Sequence, residues 1–206
     1  MGDVPRTHPS DRWIRARRGG ETVVDSRGAL LVWRDRPYPS FAFPAADVHG
    51  VESTPLDDVP GHVGVAWDAV DEWLEDEEPL LAHARDPFAR IDVRHSSRHV
   101  MIEHEGDVIA DSLTPLLLYE TGLPVRYYLP PEDVRNLEPS PTRTRCAYKG
   151  EAEHLSHNGT DVAWVYRDPL FDAPPIKDRI GFYTERVDLT IDGERQQRPR
   201  TPWADS

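Results

Sequence analysis

A gapless internal repeat constrains this chain more than any other feature. At an offset of 86, residues 14–48 lie over 100–134. Gly20 falls on Gly106, Asp25-Ser26 on Asp111-Ser112, Leu30-Leu31 on Leu116-Leu117, Pro44 on Pro130, and Asp47-Val48 on Asp133-Val134. Like-for-like pairs join them: Val23 with Ile109, Glu21 with Asp107, Trp33 with Tyr119 and Phe41 with Tyr127. A match that spans turn residues and apolar residues together marks two copies of one unit. Arg90-Ile91-Asp92-Val93 resembles Arg186-Val187-Asp188-Leu189 and is read as closing the first copy as the latter closes the second. The expected domains are therefore 11–95 and 98–192, followed by a loose polar tail over 193–206.

Each copy reads as a meander of short antiparallel strands. Ile14 and Ala16 alternate with Arg15 and Arg17, Gly19-Gly20 turns the chain, and Glu21 to Val24 runs back. Asp25-Ser26-Arg27-Gly28 is a second turn, whose Asp and Ser side chains suit local backbone amides. The second copy repeats the pattern through Glu105-Gly106 and Asp111-Ser112. Twenty prolines argue against long helices. One exception is expected: Trp67, Val70 and Leu74 fall at helical spacing within Ala66 to Glu78, predicting a short, solvated acidic helix in the first copy.

Composition narrows the function classes. Lys and Arg number 24 against 37 Asp and Glu, a net charge of −13 that repels phosphate backbones, so no nucleic-acid partner is expected. The short cluster Arg12, Arg15, Arg17 and Arg18 lies in a segment that reads as a strand. No apolar stretch is long enough to span a membrane, and residues 1–10 carry no secretory apolar core, so a soluble cytoplasmic protein is expected. A single cysteine, Cys146, excludes an internal disulfide and a Cys-rich zinc site. His95 and His99, and His154 and His157, lie at short spacings without an obvious completing carboxylate; no metal and no cofactor are expected.

The copies differ most over Thr142 to Glu151, where the first has neither cysteine, lysine nor arginine. A segment that only one copy carries is not required by the shared fold. Arg143, Arg145 and Lys149 are near Cys146 in sequence, and cations favour the thiolate. Cys146 therefore reads either as a nucleophile or as a small buried hydrophobe. Arg143, Arg145 and Lys149 read as contacts to an anionic or carbonyl-bearing ligand, and Lys149 also as a base, with Glu151 or Asp168 as proton carrier. Tyr148, Trp164, Tyr166 and Tyr183 read either as the walls of a pocket or as core. The expected function is to bind or transform a small anionic or carbonyl-containing molecule in the C-terminal copy. The alternative is a non-catalytic module that docks a protein partner through the acidic helix and aromatic strand edges.

Several motifs carry a family resemblance. Gly-Asp-Val-Ile-Ala-Asp-Ser (106–112), Tyr-Glu-Thr-Gly-Leu-Pro (119–124), Cys-Ala-Tyr-Lys-Gly-Glu-Ala (146–152), Trp-Val-Tyr-Arg-Asp-Pro-Leu (164–170) and Phe-Tyr-Thr-Glu-Arg-Val-Asp (182–188) resemble DUF427, a family of unknown function. The second copy fits over almost its whole length, the first only to about Val48. The resemblance implies a mostly-β fold of the β-tent kind, here in tandem. The family carries a nucleotidyltransferase-type label in some domain naming, but this chain lacks the Gly-Ser with spaced Asp residues that such enzymes use to hold metal ions, and has no Gly-rich phosphate loop. Ala147 stands where the family often has Pro, and His154 where it often has Tyr. β-tent relatives often bind zinc through Cys pairs, which a single cysteine precludes.

Overall fold

The computed structural model describes residues 5–201. The chain divides into two compact units, Met1–Pro87 and Phe88–Ser206. Both are built almost wholly of short antiparallel strands, and helix among the described residues is limited to three-residue 3₁₀ turns.

The first unit contains β1 (Arg6–Pro9), β2 (Ile14–Arg18), β3 (Glu21–Ser26), β4 (Leu30–Trp33), β5 (Ser40–Pro44), β6 (Thr54–Pro55), β7 (His62–Gly64), β8 (Glu72–Glu75) and β9 (Glu78–Leu80). They form two sheets, β1-β4-β5-β7-β6 and β3-β2-β8-β9. Ile14 and Ala16 alternate inward along β2 and join Val24, Phe43 and Trp73 in one core. Burying each such side chain contributes about 1.5–3 kcal/mol, which is why the alternation fixes the register.

The acidic segment is a strand hairpin, not a helix. A 3₁₀ turn at Trp67–Ala69 leads into β8, a two-residue turn at Asp76-Glu77 has Asp76 at φ +52°, and β9 returns as an edge strand containing Pro79. Helical spacing would have turned Val70 and Leu74 inward together. Instead the adjacent Trp73 and Leu74 are both buried, Trp73 beside Phe43 and stacked on Trp67, and Val70 is only partly covered. The carboxylates are answered across the strands: Glu75 by Arg12, Glu72 by Arg17 and Glu77 by Arg15. The same charges on a lone helix would face one another at i, i+3 and i, i+4 with no counter-charge. The N-terminal arginine cluster and the acidic run therefore lie side by side on neighbouring strands of one sheet.

The second unit contains β10 (Ile91–His95), β11 (Val100–His104), β12 (Asp107–Ser112), β13 (Leu116–Glu120), β14 (Arg126–Leu129), β15 (Glu138–Cys146), β16 (Gly150–His157), β17 (Thr160–Val165), β18 (Ile180–Phe182), β19 (Asp188–Ile191) and β20 (Glu194–Arg195). A seven-stranded sheet, β10-β13-β14-β18-β17-β16-β15, packs one face against the sheet β12-β11-β19-β20. Strand β10 pairs with β13 and so opens the second unit rather than closing the first. Beyond Gly193 the chain folds back as β20, Arg198 pairs with Asp188, and Thr201 donates to Glu185. The remainder of the expected tail, 202–206, lies outside the described residues. No helix among the described residues is long and apolar enough to cross a membrane.

The offset seen in the sequence recurs in the geometry. Bulges fall at Ala16/Arg17 and Ile102/Glu103, and single bridges join Val24 to Val48 and Ala110 to Val134. Trp13 donates to Asp25 at 2.6 Å, and the His99 ring contacts Asp111 at 2.6 Å. Ser26 and Ser112 each accept the amide two residues on, at 3.2 Å. The units part after the 3₁₀ turns Ala45–Asp47 and Pro131–Asp133, where the second unit inserts the long strands β15 to β17.

Replacing Trp73 by Ala should cost about 3–5 kcal/mol, as for other buried aromatic truncations, whereas Val70→Ala should cost much less. Chemical denaturation of the two variants distinguishes the hairpin from a helix, which would reverse that order.

Candidate functional site

The seven-stranded sheet has a second face, which carries several buried polar side chains. Residues directly opposite on antiparallel strands share a face, and alternate residues along each strand do too. The pairings Leu116 to Tyr128, Tyr128 to Gly181, Gly181 to Trp164 and Trp164 to His154 define one row across five strands. On one side of this row the face carries Leu118 on β13 opposite Arg126 on β14, with Glu120 two residues further along β13; on the other side it carries Tyr166 just past β17 and Ala152 on β16, with Thr144 opposite Ala152 on β15. Leu116, Leu118, Tyr128, Trp164 and Tyr166 pack here with Ala173 and Ile176 from the connection before β18, and Tyr183 packs against them.

Polar groups are held tightly within this apolar setting. Lys149, in the turn between β15 and β16, donates to the carboxylate of Glu120, and both side chains are almost nine-tenths buried. Arg126 grips Glu185 through two bonds of 2.6 Å and also donates to Thr184 at 2.9 Å. The Glu185 carboxyl is pushed up by burial, but the Arg126 and Thr201 hydrogen bonds outweigh that and hold it below its ordinary value. Trp164 donates to the Tyr128 hydroxyl at 3.0 Å and meets Tyr183 edge-on at 4.5 Å. Burial, joined by the nearby Glu120 and Cys146, raises the Tyr128 and Tyr166 hydroxyls well above their usual range, although the Trp164 bond opposes this at Tyr128. Both phenols stay protonated and remain hydrogen-bond donors at neutral pH.

His154 is buried, contacts Thr144 at 2.9 Å through Nε2 and stacks on Tyr183. Burial lowers its pKa, with Arg186 and Arg143 adding to that and Asp161 opposing it, so the ring is neutral at pH 7.

Gly181 is what allows the row to close. A Cβ there would stand 2.9 Å from both the Trp164 and Tyr128 rings. At Gly150 the close approach that sequence suggests is made by the chain itself, since the Asp168 carbonyl lies 3.3 Å from a Cβ position.

The residues singled out in sequence divide into two groups. Cys146, Lys149, Trp164, Tyr166 and Tyr183 come together on or beside this face, with Tyr148 buried in the same turn as Lys149. Arg143, Arg145, Glu151 and Asp168 do not. Strand alternation sends Arg143 and Arg145 to the side opposite Thr144 and Cys146. Arg143 donates to the carbonyls of Ser140 and Thr142, Arg145 pairs with an exposed Glu151, and Asp168 is fully exposed. The partner of Lys149 is Glu120, which sequence reasoning missed together with Arg126, Tyr128 and Glu185. A usable signal was there: Glu120 and Arg126 are charges at inward positions of strands that are otherwise apolar.

Residues 92–193 match the family model for a domain of unknown function, DUF427, which also bears the label NTP_transf_9. The chain belongs to the DUF427 family. The match starts inside β10 and ends just past β19, so the whole of this face lies within the DUF427 segment. Comparison with curated proteins gave no match.

Two outcomes test the geometry. Gly181→Ala should lower stability by about 1–3 kcal/mol, the usual effect of overpacking, measured as a lower denaturation midpoint together with altered tryptophan fluorescence. Arg126→Met leaves Glu185 buried without a counter-charge and should cost about 3–5 kcal/mol, with Arg126→Met/Glu185→Gln recovering most of it. Because the folded carboxyl lies below its ordinary value of 4.5, its stabilising contribution is complete above that pH and is lost as pH falls through the folded value. Melting temperature against pH should therefore drop more steeply on the acid side in the wild type than in the double variant.

Proposed function

We propose that the second unit binds a small anionic or carbonyl-bearing molecule at the Lys149–Glu120 face, and that the first unit is a degenerate DUF427 domain kept as framework. The observation that carries the first part is the buried pair itself. A lysine and a glutamate taken out of water together cost several kcal/mol of desolvation each, which their attraction only partly offsets. Apolar residues would stabilise a simple core better. Polar groups retained on one sheet face beside phenols and an indole are the composition of a small-ligand site.

Lys149 is the group that would meet the ligand's oxygen, trading part of its bond to Glu120 for it, and Glu120 would take up or return a proton there. Tyr166 and Tyr183 would donate hydrogen bonds, and Tyr148 and Trp164 would wall the ligand. Cys146, close to the Tyr128 and Tyr166 hydroxyls, is the nucleophilic candidate beside it.

The second part rests on the recurrence of strands, bulges and side-chain contacts at an offset of 86. In the first unit, Arg34, Ser40 and Ala42 stand at the positions of Glu120, Arg126 and Tyr128. Arg34 there makes an ion pair with Asp58 at the surface. The framework is common to both units and the polar face is not, the pattern expected when one copy keeps a site and the other only the scaffold.

Lys149→Ala alone strands Glu120 and would confuse stability with binding. The informative variant is Lys149→Met/Glu120→Gln, which removes both charges at similar volume. A thermal-shift and calorimetry screen with carboxylates, phosphate esters, nucleotides and small aldehydes or ketones should find members that raise the wild-type melting temperature. The double variant should melt within a few degrees of wild type and bind those members at least tenfold more weakly. Undiminished binding by the double variant, or no stabilising compound for the wild type, overturns the assignment.

A further inference from the structure

A second cluster lies where two hairpin tips meet. The β11–β12 turn is Glu105-Gly106 and the β16–β17 turn is Asn158-Gly159, and all four residues take positive φ, the conformation that tight two-residue hairpins require. The tips come from different sheets of the second unit, and Asn158 Nδ2 donates to Glu105 Oε2 at 2.9 Å. The residue before each turn is a buried histidine. His104 and His157 face each other with their Nδ1 atoms 2.9 Å apart. The ligating atoms of His104, Glu105 and His157 all lie within 4.8 Å of one another. On the outer side of His157, Nε2 lies 3.5 Å from the Asp107 carboxylate.

The geometry points to a binding site for a divalent first-row transition metal ion, ligated by His104 Nδ1, His157 Nδ1 and the Glu105 carboxylate. Two imidazole nitrogens, each about 2.0–2.1 Å from one ion, are separated by roughly 2.9 Å at a right angle and 3.3 Å at a tetrahedral angle. The observed spacing falls within what such a pair needs, before any movement of Glu105. Glu105 is exposed on its turn and is held by Asn158 through one oxygen. Asp107 stands where an outer carboxylate would fix a ligating histidine: drawn in from 3.5 Å, it would accept from Nε2 and leave the Nδ1 lone pair for the ion. The remaining coordination positions would go to water, since two nitrogens and one carboxylate oxygen leave an open site.

Sequence spacing does not reveal this set. It pairs His154 with His157, whereas the fold brings His157 to a residue 53 positions away. The first unit cannot build the site. Arg18, Gly19 and Glu21 occupy the positions of His104, Glu105 and Asp107, and among the described residues no strand of the first unit stands as a counterpart of β16 to supply His157. The cluster is also separate from the Lys149 face, because β16 runs from Gly150 at that face to His157 at its other end.

The test uses the untagged full chain, stripped with a chelator and titrated with Co²⁺ and then Zn²⁺. One equivalent of Co²⁺ should develop visible d–d absorption, and one equivalent of Zn²⁺ should displace it and raise the melting temperature. His104→Asn and His157→Asn should each lose at least tenfold in affinity. Asp107→Asn should lose about 10–100-fold, the usual effect of removing an outer-sphere partner. Glu105→Gln, at an exposed turn, keeps the fold and should also bind more weakly, so the test survives if a histidine variant fails to fold. Absence of stoichiometric binding by the wild type, or wild-type affinity in Glu105→Gln and Asp107→Asn, overturns the assignment and leaves an ordinary imidazole–imidazole hydrogen bond.

Discussion

Alternation across the seven-stranded sheet is the constraint on which the rest of the second unit depends. Every strand must send successive side chains to opposite faces, so the choice of one core register settles both faces together. Leu117, Tyr127, Leu129, Ala163 and Phe182 go to the face packed on the second sheet. Their neighbours Leu116, Leu118, Tyr128 and Trp164 are thereby committed to the other. Arg126 and Glu120 lie on that second face because the same register puts them there. A slip of one residue would exchange the two sets, turning Arg126 and Glu120 to the face packed on the second sheet.

The charges on that face can persist only as pairs. A lone charge at the depth of Lys149 and Glu120 would carry a desolvation cost with no counter-charge to offset it. Pairing changes which term wins, and added hydrogen bonds change it further. Glu185 shows this directly: burial alone would raise its carboxyl, yet two bonds from Arg126 and one from Thr201 reverse the sign. The Thr201 bond also gives the segment beyond β20 a task, since it completes the shell of a fully buried carboxylate. The surface pairs of the first unit, such as Arg17 with Glu72, are half exposed and each add little. Their collective role is to neutralise an acidic hairpin well enough for it to lie against β2.

The two units share some local features and differ in others. What recurs at the offset of 86 is what a meander needs to close: the bulge in β2 and β11, the Ser side chains at the turns, and the bridge that follows the 3₁₀ turn. What does not recur is β15 to β17 and the charged and phenolic positions of β13 and β14. Both candidate sites in the second unit use β16, one at each end. That strand is therefore the element that the two proposals have in common.

The sequence by itself determined the mostly-β character, the turns and the DUF427 membership, because these rest on local rules: alternation, turn chemistry and motif identity. It misread 66–78 because Trp67, Val70 and Leu74 satisfy a helical period, while the competing pull of Arg12, Arg15 and Arg17 comes from a strand over fifty residues away. It gathered Arg143, Arg145 and Cys146 because they are adjacent, and adjacency on a strand means opposite faces. Only the tertiary structure decided that Lys149 meets Glu120, that Arg126 meets Glu185 and that His104 meets His157. Each of these contacts is fixed by register between strands distant in the chain, and no spacing along one segment encodes it.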